Sequence, residues 1–293
     1  MKKIRIFLLL VVLISTKGFA QLGAGYDPYL ANPSLGGYNE MVKLGTLYQT
    51  EMGAYDYHPK SFMFWGSSPF NNQRVAGGFK IASQEGGVLQ NLSAEATFIY
   101  HVPVGGSKLS FGLSGGFNQL KLMRDRVEVH DIDDPILQGA ESGNWFNANF
   151  GLALNQVDRY YVGIAAYNLL PSQTDWMVSS FENKTNITYA ASGMYRFTLM
   201  ENVLFLEGSG YVITQTFSSV QYGVSGKFIL NKDILFSIGY ASANTIKGGF
   251  GINVQNISFG YCGSYSFGDV YGYSFTKHEV VLMLKLPYSK SSK

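Results

Sequence analysis

Along most of the chain, apolar side chains alternate with small or polar ones at a period of two. Leu109, Phe111, Leu113, Gly115 and Phe117 fall on one face, with Ser110, Gly112, Ser114 and Gly116 on the other. Val220 to Leu230 repeats the pattern, setting Tyr222, Val224 and Phe228 against Gln221, Ser225 and Lys227. Ile257 to Phe267 and Phe146 to Leu154 do the same. Successive side chains of a strand point to opposite faces, so each segment is a wall strand with one greasy and one small or polar side. Strict alternation over about ten residues is the signature of a membrane barrel.

The alternation predicts about fourteen strands, near 41–50, 61–67, 74–84, 90–102, 108–120, 144–156, 159–167, 187–199, 203–213, 219–230, 233–243, 246–254, 257–267 and 277–288. Met63, Trp65 and Val162 blur the pattern in the second, third and seventh regions. Beyond Ala20 no apolar stretch approaches the roughly 20 residues of a transmembrane helix. The connections sort by parity. The long ones, about 51–60, 121–143, 168–186 and 268–276, are all odd-numbered, whereas the even-numbered ones, such as Val157-Asp158 and Asn231-Lys232, are short. Bacterial barrels have short periplasmic turns and longer outer loops. The prediction is therefore an all-β, transmembrane, antiparallel up-and-down β-barrel whose N- and C-termini are both periplasmic. Outward Tyr48, Tyr100, Phe228, Phe267 and Tyr288 near strand ends fit an interfacial aromatic girdle.

Ahead of the strands, Lys2, Lys3 and Arg5 precede an apolar run from Ile6 to Ile14, and Gly18 and Ala20 flank Phe19. This is the layout of a Sec signal peptide, with cleavage expected between Ala20 and Gln21. The predicted organisation is a signal peptide at 1–20, a periplasmic arm at 21–40, the barrel at 41–288 and a tail at 289–293. Charged residues make up 14% of the chain, against roughly 25% in a soluble globular protein. With a net charge of +2 and basic residues scattered singly, nucleic acid is an unsuitable partner. A single cysteine, Cys262, excludes an intrachain disulfide.

Little in the sequence carries chemistry. His58, His101, His130 and His278 match no zinc spacing, and no Gly-x-Ser-x-Gly elbow marks a nucleophile. Neither an enzyme nor a cofactor is expected. Asp125 to Asp134 holds five carboxylates, and Asp131, Asp133 and Asp134 offer oxygen ligands to calcium, but the Gly and closing Glu of an EF-hand are missing. A solvated acidic loop that steers a partner by charge is the simpler reading. Lumen-facing positions hold both signs, Lys43, Lys80, Arg196, Lys227 and Lys285 against Glu95 and Glu207. A selective channel favours one sign; mixed charge suits ion pairs across a lumen or a plugged interior.

Several motifs resemble the PorP/SprF family of outer-membrane proteins of the type IX secretion system of Bacteroidota. Asp27-Pro-Tyr-Leu-Ala-Asn-Pro-Ser-Leu-Gly-Gly37 is similar to that family's opening, with Leu35-Gly36-Gly37 in place of the usual aromatic-Ala-Gly. His58-Pro-Lys-Ser-Phe62, Ser67-Ser-Pro-Phe70, Gly77-Gly78-Phe79 and Ser107 to Leu113 resemble its early hairpins, and His278-Glu279 its closing strand. Asn32, Pro33, Gly37, His278 and Glu279 carry the match. Read on their own, they are a turn before the first strand and a polar pair opening the last one. The resemblance implies a barrel embedded in outer-membrane lipid that works with type IX secretion components and helps export or attach a large surface protein of the gliding-adhesin kind. Candidate contacts are the outer loops, with Asp131, Asp133 and Asp134 in one and Leu169, Leu170, Trp176 and Phe181 in the other, or the arm, which would plug the lumen or bind a periplasmic subunit. The competing expectation is a passive channel or hydrophobic-solute transporter.

Overall fold

A computed structural model describes residues 25–52, 58–70, 74–126, 142–170, 173–175, 182–184, 186–215, 219–242, 244–267 and 275–288. The expected signal peptide, the acidic residues Asp131, Asp133 and Asp134, and Trp176 and Phe181 lie outside these residues. Fourteen antiparallel strands close a barrel: β1 (Met41–Met52), β2 (Lys60–Pro69), β3 (Val75–Gly86), β4 (Leu89–Val104), β5 (Ser107–Leu122), β6 (Ser142–Gln156), β7 (Tyr160–Tyr167), β10 (Thr188–Met200), β11 (Leu204–Gln215), β12 (Ser219–Leu230), β13 (Ile234–Ala241), β14 (Thr245–Val254), β15 (Ile257–Ser266) and β16 (Phe275–Pro287). All fourteen predicted segments are wall strands, and β1 closes on β16 with Met41 opposite Pro287 and Met52 opposite Thr276. Closure leaves no open edge, which is what a sheet in hydrocarbon requires. An addition to the predicted order is a small hairpin, β8 (Gln173–Asp175) with β9 (Glu182–Lys184), inside the connection between β7 and β10.

At the end of the barrel that carries the tight turns, several residues adopt left-handed backbone: Asp158, Asn202, Asn231, Lys232 and Gln255. Asn231 and Lys232 both take positive φ between the paired Leu230 and Ile234, the geometry of the mirror-image turns that match strand twist. The opposite end holds the long connections, although the β3–β4 turn at Gly87-Val88 is short there too. The wall is uneven in height, since β4 and β5 have 16 residues each and β7 and β13 only 8.

The outward face is apolar: Phe98, Leu113, Val224, Phe236, Ile238 and Leu282 are all exposed on the isolated chain. Such a surface is stable only in contact with lipid. Tyr48, Tyr100, Phe228 and Phe267 are likewise exposed and outward, as the girdle reading expects. Ile238 lies in the middle of β13, so Ile238→Arg is expected to destabilise the barrel by about 2–4 kcal/mol. The shift of the urea unfolding midpoint in lipid vesicles measures this, and Ser237→Arg, on the luminal face of the same strand, serves as the milder comparison.

Candidate functional site: the plugged lumen

Residues 25–40 do not stay outside the wall. They fold into the lumen as a one-turn helix α1 (Pro28–Ala31), a 3-10 turn (Pro33–Leu35) and the lead into β1. Asp27 caps α1, with Pro28 in the first turn where its missing N–H costs nothing. The Asp27 carboxylate takes three donors in all, the capping N–H among them. Tyr29 N donates to Oδ1 at 3.3 Å, Lys43 Nζ to Oδ1 at 2.9 Å and Trp65 Nε1 to Oδ2 at 3.0 Å. Asp27 is fully buried and Lys43 nearly so, and a charge so far from water is tolerable only with this degree of pairing.

Asn32 is the second anchor. Its Nδ2 donates to the carbonyls of Leu152 on β6 at 3.3 Å and Ile164 on β7 at 3.0 Å. Its Oδ1 accepts from Ser34 N at 3.0 Å and Ser34 Oγ at 2.7 Å. This approach to the wall needs missing side chains: a Cβ on Gly151 would lie 2.2 Å from Asn32 Oδ1, and one on Gly112 2.5 Å from the Pro33 carbonyl carbon. Gly37 makes the following turn at φ +65, packed on Ala76 and Pro69. Asn32, Pro33 and Gly37 are thus brought together as the plug's contact with β2, β3 and β5–β7.

Further bonds spread the attachment. The Tyr29 hydroxyl meets Thr97 Oγ1 at 2.8 Å, which in turn meets Ser114 Oγ at 2.9 Å. Tyr167 OH donates to the Ala31 carbonyl, Lys108 pairs with Glu40 at 2.9 Å, and Lys227 Nζ donates to the Gly25 carbonyl at 3.2 Å. Burial holds the Tyr29 and Tyr38 phenols well above their ordinary pKa, so both remain protonated. Tyr29 and Leu30 share an apolar cluster with Leu47, Met63, Trp65, Ile99 and Val281.

The plug is off-centre. Luminal residues of β1–β7 such as Leu47, Trp65, Ile99, Ser110 and Asn155 are fully buried. Across the lumen, Ser225 is exposed, and Ser209, Ser237, Gly239, Lys247 and Cys262 are only half-buried. Among the described residues a polar crescent beside β11–β14 is therefore left unfilled, while Tyr26 of the plug packs against Gly260 on β15. Near its periplasmic end, Arg196 Nη2 lies 2.5 Å from Glu207 Oε1 and Lys227 Nζ 2.5 Å from Glu207 Oε2, while Arg196 also reaches Asp158 at 2.8 Å. Lys80 and Glu95 pair at 2.6 Å higher in the wall. The mixed luminal charges are thus neighbours on the wall and contacts to the plug.

His278 and Glu279 do not form a site. His278 faces outward, its Nδ1 2.7 Å from Tyr261 OH, whereas Glu279 faces the lumen opposite Gln49 and Cys262. In the outer loop, Leu169 N donates to the Ala148 carbonyl at 2.9 Å and Leu170 is half exposed. His101 is buried in the lumen against Ser110 Oγ at 2.6 Å, and Asn155 Nδ2 donates to the same oxygen at 2.7 Å. The plug-binding residues Asp27, Tyr29, Thr97 and Tyr167 were not singled out by sequence pattern. A signal was present in the luminal glycines Gly112, Gly151 and Gly163 on three adjacent strands.

A closed wall of amphipathic strands with an apolar outer band defines an integral outer-membrane β-barrel. Residues 21–284 match the type IX secretion system membrane protein PorP/SprF family, and the chain belongs to it. No curated protein matches the sequence. Among solved structures, the Pseudomonas putida toluene transporter TodX is 8% identical, aligning over 91% of this chain and 93% of its own at a TM-score of 0.52. A Pseudomonas aeruginosa FadL homologue is 9% identical over 93% and 96% of the two chains, at 0.53. The Acinetobacter baumannii outer membrane protein Omp33 is 8% identical over 85% and 100%, at 0.51. At such identities the likeness is one of fold. The protein is a type IX secretion-related barrel of the outer membrane.

Proposed function

We propose that this barrel is a non-enzymatic accessory of type IX secretion, serving the export or surface attachment of a large secreted protein rather than moving solutes itself. The observation that carries the reading is the bonded plug: Asp27 and Asn32 tie residues 25–40 to the wall through side chains that have no use in an open pore. A lumen occupied in this way leaves the outer loops and the periplasmic rim as the working surfaces. Loops fixed on a rigid scaffold are suited to protein contact, and the half-exposed Leu170 contributes apolar area there.

Affinity purification of the intact barrel from its own outer membrane, followed by mass spectrometry, tests the proposal. Secretion components or a large surface protein are expected in excess over an unrelated barrel of equal abundance. Recovery of neither would overturn it. The second reading, a passive channel, draws support from the crescent beside β11–β14 that the described residues leave unfilled. A stable, large conductance from the purified protein in a planar bilayer, with no partner present, would favour that reading.

A further inference from the structure

The periplasmic rim between β7 and β10 holds a groove of about 510 Å³ that no described residue of the plug lines. It exists because the two strands end at different heights. β7 begins at Tyr160, and its register with β10 stops at Tyr195. Arg196 N still donates to the Arg159 carbonyl at 2.8 Å, but β10 continues to Met200 with β11 on its other side only. Backbone groups alternate between the two neighbours of a strand. Thr198, two residues beyond Arg196, therefore turns its N–H toward the groove with no strand opposite.

Two chemistries meet in this groove. Arg159 stands on the tight β6–β7 turn, is exposed, and has no ion-pair partner among the described residues. Asp158, the acidic residue of the lining, is engaged by Arg196 at 2.8 Å. The other wall is formed by Tyr195, Phe197 and Leu199, each between 42% and 51% exposed. Tyr195 and Phe197 occupy outward positions of β10 and continue the lipid-facing band down to the rim. The apolar wall of the groove accordingly faces the membrane, at the level where headgroups of the periplasmic leaflet lie.

The geometry points to a phospholipid site: the phosphate of a periplasmic-leaflet glycerophospholipid sits between the Arg159 guanidinium and the free Thr198 N–H, with an acyl chain along Tyr195, Phe197 and Leu199. Guanidinium matches phosphate in both charge and fork geometry, and an unpaired strand N–H is a donor that a phosphate oxygen satisfies. An extended peptide adding to the free edge of β10 is the rival occupant. The peptide leaves Arg159 without an anion and lays polar backbone against lipid-facing aromatics, so the lipid is the better match.

Native mass spectrometry of the intact, detergent-purified barrel with added phosphatidylglycerol tests the assignment. Retained lipid should fall about tenfold in Arg159→Ala, the loss of one charge-assisted contact, less in Arg159→Lys, and not at all in Arg74→Ala. Arg74 is an exposed cation on the β2–β3 connection, at the same end of the barrel but several strands away, and all variants should keep the heat-modifiable mobility of a folded barrel. Any of three results would overturn the proposal. They are an equal loss in Arg74→Ala, displacement of the lipid by inorganic phosphate at similar concentration, or a photo-crosslinker at position 199 that captures a polypeptide and no lipid.

Discussion

A barrel lacking residues 25–38 is expected to conduct in a planar bilayer with large, stable steps, whereas the intact protein gives none of comparable size. Side chains alone fill the lumen of an eight-stranded barrel, and walls of 16–18 strands leave an aqueous channel. Fourteen strands enclose a space between these limits. Here it is the plug that occupies the β1–β7 side, because the side chains facing it are small where it approaches, at Gly78, Gly112, Gly151 and Gly163. Taking the plug away would join that space to the crescent already open beside Ser209, Ser225 and Ser237. Folding of the deletion variant is checked by its heat-modifiable mobility. A folded variant as silent as the intact barrel would mean that the outer loops or the Arg196-Glu207-Lys227 layer close the lumen, and the plug reading of the site would fail.

The wall was legible in the sequence because a lipid-facing strand has no freedom in its pattern: one face meets hydrocarbon and must be apolar throughout. That constraint is strongest on the side away from the plug, and β12, β14 and β15 show the cleanest alternation. The regions that read poorly have a physical reason in common. Met63 and Trp65 face the lumen, but the lumen there is apolar, since Tyr29 and Leu30 of the plug pack on them. The pattern of β2 is therefore apolar on both faces, as in any strand buried on two sides. Near Val162 the luminal Tyr161 belongs to a cluster with Leu35 and Tyr38, which is again plug packing. Blurred alternation in this chain was thus the record of an internal partner.

The site was legible only in part. Asn32, Pro33 and Gly37 stood out by family resemblance, and a turn was the simplest local reading. The geometry keeps the turn at Gly37 but gives Asn32 a longer reach, to carbonyls 120 and 132 residues away in sequence. No local pattern encodes such a contact, because the receiving groups are backbone carbonyls exposed by glycines on other strands. The His278-Glu279 pair fails as a unit for an equally simple reason. Adjacent residues of a strand face opposite sides of the wall, so the two side chains serve an outward Tyr261 and the lumen separately.

Asp27→Ala is expected to carry the largest stability loss of any single change in the plug, about 3–5 kcal/mol. Removing the carboxylate deletes the cap of α1 and leaves Trp65 Nε1 without its acceptor. It also strands the Lys43 ammonium at 4% exposure in the lumen wall. The last effect dominates, since an unpaired buried charge costs more than the hydrogen bonds it loses. The double variant Asp27→Ala/Lys43→Met removes the stranded charge and should recover more than half of the loss, whereas additive penalties would show that the ion pair is not the seat of the effect. Urea midpoints of the four proteins, read by the heat-modifiable band in lipid vesicles, complete the cycle. Asp27→Asn keeps the shape but has one oxygen where the carboxylate has two, so it serves either the α1 cap on Oδ1 or Trp65 on Oδ2, and it gives Lys43 no counter-charge, so its loss should lie close to that of Asp27→Ala. A loss in Asp27→Asn nearer to zero than to the alanine variant would place the anchoring in the hydrogen bonds of Asp27, and the buried pair with Lys43 would then be incidental to how the plug is held.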